Sequence, residues 1–488
     1  MTRCLVTGAT GYIGGRLVPE LLDAGHDVRC MVRSAGRLRD HPWVGRTEIA
    51  EADATDFDRT REALAGVDVA YYLIHAMGTG GDFAAADLRA ARTFAAAARA
   101  EGVRRIVYLG GLTAGEALSP HLRSRAEVAE VFLRSAVPCV VLRAAVIIGS
   151  GSASFEMLRH LTERLPVMTT PRWVHSRTQP IAIRDVLRYL TGWAAVPGVV
   201  NRGFDIGGPD VLTYADMMRG YAAVAGLPRR LIITVPLLSP WLSSKWVGLV
   251  TPVPATIARP LVESLRNEAV CHEHDIAEYV PDPPDGLMTF REAVSLALTK
   301  IKEADVATRW SSASTPGAPS DPLPTDPGWA GGSLYIDRRS RPVDASPEAL
   351  WQVIEGIGGE SGWYSLPVAW RLRGVLDQII GGVGLRRGRR DPKRLRVGDA
   401  VDFWRVEEID PGRLLRLRAE MRLPGLAWLE LGLRRAGGRT IYQQRAIFHP
   451  RGLIGHLYWW AISPLHGLIF GRMPRNVAEA ARAARDGR

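Results

Sequence analysis

Cysteine is scarce. The 488 residues hold four, Cys4, Cys30, Cys139 and Cys271, far apart and without a C-x-x-C pair, which excludes a disulfide framework or a zinc ribbon and fits a reducing compartment. Lysine is as rare, four of the 62 basic residues, so arginine is the default cation and a single Arg carries little information. Also missing is a charged segment followed by an apolar run and a small-residue cleavage site: "MTRCLVTGATGYIGG" runs straight into a strand and turn. A mature, intracellular N-terminus in a cytoplasmic protein is the expectation. Uninterrupted apolar runs are absent too. "LIITVPLLSPWLSSKWVGLVTPVPATIARPLV" carries prolines at 236, 240, 252, 254 and 260, and "LIGHLYWWAISPLHGLIF", residues 453–470, contains His456, His466 and Pro464. The prolines forbid a spanning helix in the first, which reads as a hydrophobic substrate wall, a membrane-surface contact or interdomain packing. The second reads as the core helix of its domain. No internal repeat is present.

What is there is ordinary in composition, 47% hydrophobic and 23% charged, and long enough for two domains. The net charge of +11 is uneven: residues 1–332 hold 35 basic against 35 acidic side chains, residues 333–488 hold 27 against 16. "RCLVTGA", "HDVRCMVRS", "TEIAEAD", "VDVAYYLIHAMG", "VRRIVYLGGL" and "VPCVVLRAAVIIG" alternate with helical patterns, and strands apolar on both faces predict a doubly wound parallel sheet. The alanine-rich helix "DFAAADLRAARTFAAAARAEG" should stop at Gly102. This α/β domain is expected over 1–305, its later part facing the substrate. A Pro/Ser/Gly-rich linker follows over 306–332, with five prolines in "SSASTPGAPSDPLPTDPGWAGGS". Over 333–488 a Ser-Pro helix start, strand-like hairpins and a final long helix predict a smaller α+β domain.

"CLVTGATGYIGGRLVPELLDAG" places Gly8, Gly11 and Gly14 between the first strand and helix. Glycine there permits a tight turn and lets backbone approach a pyrophosphate at the helix N-terminus. The second strand ends at Arg33 rather than at a carboxylate. Arg33 and Arg37 could therefore accept a 2′-phosphate, which favours NADP over NAD, although both also read as solvent-facing arginines. Asp53 in "EADATD" reads as an adenine contact or a helix cap.

"VTGATGYIGGRLV", "VYLGGL", "QPIAIRDV" and "FDIGGPDVLTYADM" resemble the extended and atypical short-chain dehydrogenase/reductase superfamily, NmrA-like and epimerase-like members included, over residues 1–300. "LSPHLRSRAEV" and "SSKWVGLVTPVPATIARPLVESL" are similar to a bacterial subgroup that adds a C-terminal domain of unknown function. The resemblance implies an NAD(P)-binding Rossmann fold whose cofactor meets Gly8, Thr10, Gly11, Tyr12, Ile13, Gly14, Arg33, Arg37, Asp53, Ala54, Ile74 and His75. The pattern of the C-terminal domain resembles a START-like helix-grip fold, which implies carriage of an apolar ligand.

The superfamily's chemistry uses a Tyr, a Lys four residues later on the same helix face, and a Ser or Thr after the fifth strand. Here "GEALSPHLRSRAEVAEVF" holds His121 and Arg125 at that spacing, and only Thr113 offers a hydroxyl. Ser119 and Pro120 read as an N-cap and first helical residue, so His121 belongs to the first turn. The helix end and Arg125 should keep its imidazole neutral and able to donate one hydrogen bond to a carbonyl, with Arg125 in lysine's place at the ribose. His121, Arg125 and Thr113 are the candidate catalytic residues of an oxidoreductase acting on a hydrophobic carbonyl or alcohol. The other reading is a cofactor-bound redox sensor or a membrane- or respiratory-complex-associated assembly factor, in which the pair merely caps and solvates the helix. The loop "GSGSAS", residues 149–154, should close over the nicotinamide in either case.

Glu156, His160 and Glu163 share a helix face that reads as solvated, and "CHEHD", residues 271–275, reads as a strand without a ligand set, so no metal is expected. "RRGRRDPKRLR", residues 386–396, with seven basic residues, lacks interleaved aromatics. It reads as a solvated loop able to meet anionic lipid at the inner face of the membrane, and no specific nucleic acid is expected.

Overall fold

The computed structural model describes residues 1–75, 83–112, 118–234, 250–307, 333–359, 362–365, 391, 394–421 and 423–485. The expected linker and the basic run at 386–396 lie largely outside these residues. The chain divides into two units, Met1–Gly332 and Ser333–Arg488.

The first unit is built on seven parallel strands: β1 (Arg3–Thr7), β2 (Asp27–Val32), β3 (Glu48–Glu51), β4 (Val69–Tyr72), β5 (Arg105–Gly111), β6 (Cys139–Ala144) and β7 (Arg202–Ile206). Their order is β7-β6-β5-β4-β1-β2-β3. This is the doubly wound sheet that the strands' two-sided hydrophobicity predicts. Cys4 and Val6 of β1 and Val69 and Tyr71 of β4 enter one core, while Leu5, Ala70 and Tyr72 enter the other. Helices α1 (Tyr12–Asp23), α2 (Phe57–Leu64), α3 (Phe83–Ala100) and α4 (Pro120–Leu133) make the crossovers. Alanines 90, 91, 95 and 98 let α3 lie close on the sheet, and Gly102, at φ +69°, turns the chain after it. Because β1 neighbours β4, the chain leaves to opposite sides at their carboxyl ends. That switch point opens the crevice in which such sheets hold ligands.

Helices α5 (Ala153–Arg164), α6 (Ile183–Gly192), α7 (Tyr214–Val224), α8 (Ala255–Ser264) and α9 (Phe290–Ala307) follow. A third core forms between α5, α7, α8 and α9. The stretch Cys271–Asp275 is loop rather than strand up to the short helical turn at Asp275. Its Glu273 is committed to the backbone N–H groups of Asp205 and Asp275.

The second unit is an antiparallel sheet of β8 (Tyr335–Val343), β9 (Trp404–Asp410), β10 (Leu414–Ala419), β11 (Gly425–Ala436) and β12 (Arg439–Pro450), ordered β8-β12-β11-β10-β9, with Ala400–Val401 beyond β9. Ser346 caps α10 (Pro347–Glu355) by accepting the Ala349 N–H at 3.2 Å, the Ser-Pro start visible in the sequence. Alternate residues Leu415, Leu417, Leu429, Leu431 and Leu433 meet α10 and the later half of α11 (Gly452–Arg485). The reverse face carries a buried row of alternating charge, Arg416, Glu430 and Arg445, paired at 3.0 and 2.6 Å.

The long helix corrects one expectation. Its core residues are Phe470, Met473, Val477, Ala478 and Ala481, whereas in the 453–470 stretch Ile454 is 71% and Trp460 61% exposed. A 34-residue helix runs roughly 50 Å, further than a six-stranded sheet is wide at about 5 Å per strand. Its first half therefore meets the sheet mainly through His456, against Tyr335, and Trp459, against Phe448. No described helix is long and apolar enough to cross a membrane.

Candidate functional site

Gly8 leaves β1 at φ +68°, and a Cβ there would stand 2.7 Å from the Leu73 carbonyl oxygen. One on Gly14 would stand 2.3 Å from the Gly8 carbonyl oxygen. The first turn of α1 thus packs directly on the loop backbone, with Thr10 and Ile13 flanking Gly11 and Tyr12. Gly11 is the N-cap and, having no side chain, makes no side-chain cap. A positive helix end that its own N-cap leaves open and that backbone can approach fits a pyrophosphate.

At the other end of the crevice Arg33 and Arg37 are exposed, Arg37 within the short turn Ala35–Leu38. Glu51 accepts the Ala35 N–H at 2.5 Å. Asp53 accepts from Thr55 N–H at 2.9 Å and Oγ1 at 2.6 Å. These bonds, with Arg33 nearby, hold its carboxyl below the usual range. The cap of α2 is Asp56 instead. Ala54 is buried beside Asp53.

Thr7 ties β4 to β1: its hydroxyl donates to the Tyr71 carbonyl at 3.0 Å and accepts the Leu73 N–H at 2.9 Å. Ile74 and His75 follow at the carboxyl end. His75 Nδ1 lies 2.9 Å from Asp87 Oδ2 on α3, and His75 Nε2 lies 3.2 Å from His121 Nδ1 on α4. Ser119 accepts the Leu122 N–H at 3.2 Å and Pro120 opens the helix, which puts His121 in the first turn. His121 is buried. Burial, then Arg125 and His75, push its pKa down to about 3. Burial lowers His75 as well, against the hydrogen bond to Asp87. Arg125 Nη2 donates to the Leu109 carbonyl, and its guanidinium sits 5.6 Å over the Tyr108 ring. Thr113 lies outside the described residues.

The structure brings His75 and His121 together, which their separation of 46 residues conceals. It turns His121 Nδ1 toward His75, so one of the two ring nitrogens is engaged within the protein. It also adds Asp87, which sequence reading missed. The signal was available: Asp87 lies three, four and seven residues before buried Ala90, Ala91 and Phe94, a carboxylate on the apolar face of an alanine-rich helix.

Residues 8–143 match a family described as NAD(P)H-binding, and residues 329–473 match a protein family of unknown function, DUF2867. A ceramide reductase of Caulobacter vibrioides is 31% identical over 235 residues, 46% of this chain and 72% of that protein. This chain belongs to that NAD(P)H-binding oxidoreductase family. A 3β-hydroxysteroid dehydrogenase/Δ5→4-isomerase of Mycobacterium tuberculosis is 34% identical over 116 residues, 22% of this chain, which spans 30% of that relative's length. Two solved structures are similar to the first unit. A Citrobacter sp. triphenylmethane reductase complexed with NADP(H) is 19% identical, with 60% of this chain and 99% of that one covered and a TM-score of 0.49. An NADPH-dependent quinone oxidoreductase of Escherichia coli is 16% identical, with 60% and 98% covered and a TM-score of 0.47.

In this family member, the loop after β6 is braced against α1. A Cβ on Gly149 would stand 2.3 Å from the Tyr12 hydroxyl, and buried Arg16 donates to the Ser150 carbonyl at 3.2 Å. The helix that follows corrects another expectation. Glu156, His160 and Glu163 are buried, not solvated. Arg159 donates to both Glu156 oxygens at 3.1 and 3.0 Å and to Tyr221, which in turn donates to Glu163. One guanidinium set between two carboxylates offsets most of their charge, and Tyr221 hydrogen-bonds Glu163, which is what permits four ionisable groups on consecutive turns inside the third core. Glu156 also accepts the Gly151 N–H at 2.9 Å, so the network pins the loop.

Proposed function

We propose that the protein is an NADP(H)-dependent oxidoreductase that interconverts a hydrophobic secondary alcohol and its carbonyl. The observation that carries this is the buried imidazole pair His75/His121 at the switch point of a sheet whose glycine loop fits a dinucleotide. Gly8, Gly11 and Gly14 would hold the pyrophosphate, with Tyr12 and the braced 149–152 loop beside it. The nicotinamide, when bound, supplies hydride acceptance or donation. His121 touches the substrate oxygen, and Arg125 is held on Leu109 close to it. Preference for the phosphorylated cofactor is supported by Arg33 and Arg37, and by Glu51 and Asp53, at and just after the end of β3, being engaged by Ala35 and Thr55. A large apolar substrate is supported by the relatives named for ceramide and steroid.

The test is turnover of a panel of steroid and long-chain alcohols and carbonyls with NADP(H) and with NAD(H). The expected result is preference for the phosphorylated cofactor, lost in Arg33→Ala/Arg37→Ala, and a drop of about 100-fold or more in kcat for His121→Ala with cofactor Kd unchanged. No turnover across the panel, with cofactor still bound, would favour the sensor reading.

For the second unit we infer a START-like ligand-holding role at an anionic membrane face. Leu453, Ile454, Leu457 and Trp460 form one exposed stripe of α11, in the part of the chain that holds the whole positive excess. Sedimentation with phosphatidylglycerol vesicles should fall several-fold on Trp460→Ser/Ile454→Ser, and equal binding to neutral vesicles would refute the charge argument.

A further inference from the structure

We propose that Asp87, His75 and His121 form a proton relay whose resting polarity makes His121 Nε2 the base toward a substrate hydroxyl, so that the site is built for oxidation of an alcohol. The assignment rests on the oxidoreductase reading above and commits it to one substrate form.

The polarity follows from one end of the chain. A carboxylate only accepts, so the 2.9 Å contact places the proton of His75 on Nδ1. A neutral imidazole carries one proton, so His75 Nε2 is a lone pair. The 3.2 Å contact then places the proton of His121 on its Nδ1. His121 Nε2 is left bare, and it has no protein partner among the described residues. Each link is forced by the one before it.

Burial supports this arrangement. His75 and His121 are both pushed toward the neutral form, His121 to about 3, which disfavours an imidazolium on either ring. Among the described residues, Arg125, Asp87 and Ser124 are the charged and polar groups facing the pair. A proton arriving at His121 Nε2 is passed on as Nδ1–H moves to His75 Nε2 and the Nδ1–H of His75 moves to Asp87. Two imidazolium states are avoided, and the charge that disappears is the carboxylate's. The balance is complete. The hydroxyl proton goes to His121 Nε2, the carbinol hydrogen departs as hydride to an oxidised nicotinamide dinucleotide, the C–O bond becomes C=O, and one proton ends on Asp87. Reduction of a carbonyl by the same site needs that proton loaded on Asp87 first. His121 is the catalytic residue, and His75 and Asp87 are positioning and relay residues.

The test is ¹⁵N NMR of imidazole-labelled full-length protein without ligand. Expected are protonated Nδ1 and bare Nε2 on both His75 and His121. Asp87→Asn should abolish that tautomer preference on both rings and lower alcohol oxidation by about 100-fold or more. His75→Phe, which keeps ring volume should Asp87→Asn fold poorly, should abolish it on His121 alone. A protonated Nε2 on His121, or tautomers unmoved by either variant, overturns the relay and leaves the oxidoreductase reading standing. Absence of turnover with every alcohol and carbonyl of the panel overturns both.

Discussion

Gly14→Ala should abolish dinucleotide binding, raising the Kd measured by nucleotide fluorescence at least 100-fold, about 3 kcal/mol. The new Cβ would stand 2.3 Å from the Gly8 carbonyl oxygen and 2.7 Å from its carbon. Both atoms are backbone, so neither can step aside as a side chain would. Relief requires α1 to lift from the loop, and that moves the helix N-terminus away from the position proposed for the phosphates. Gly45→Ala is the control, since a Cβ there meets nothing within 4 Å. An unchanged Kd in Gly14→Ala would remove the cradle from the site.

The second large effect concerns stability. Arg159→Met leaves Glu156 and Glu163 buried without their cation and should cost about 3–5 kcal/mol, the range for breaking a buried ion pair by deleting one partner. In a unit of this size that lowers its melting transition by roughly 4–7 °C. Arg159 holds its proton tightly. Burial pulls its pKa down, but Glu156, Tyr221 and Glu163 more than reverse this, so the guanidinium does not escape by deprotonation. Glu156→Gln keeps an acceptor for Gly151 while removing a charge. The double variant Glu156→Gln/Arg159→Met should be less damaging than the sum of the two, because the second change removes a partner already lost. Additive losses in calorimetry would show that the charges do not act as one network.

Much of the first unit was legible because its signals are local. The strands announce themselves by being apolar throughout, the phosphate loop by glycines at fixed spacing, and the start of α4 by Ser119 and Pro120. The capping arrangement of α10 and the β9–β10 and β11–β12 hairpins are of the same kind. Errors arose where a face had to be assigned without knowing what lies opposite. Residues 156–163 read as solvated because charge usually marks water, and only the placement of Tyr221 beside them shows that they satisfy one another. The 453–470 stretch read as core because it is apolar, yet the length of α11 leaves half of that surface beyond the sheet.

The sequence by itself determined the parallel sheet, the glycine loop between β1 and α1, the place of His121 and Arg125 four residues apart at the start of α4, and the two-part order of the chain. These are properties of neighbouring residues, set by periodicity, φ and helix capping. Only the tertiary structure decided what His121 can do. His75, Asp87 and His121 come from the end of β4, from α3 and from α4, and they meet because adjacent parallel strands deliver successive connections to the same edge of the sheet. Which imidazole nitrogen bears the proton depends on those contacts, a relation between distant residues that no local pattern encodes.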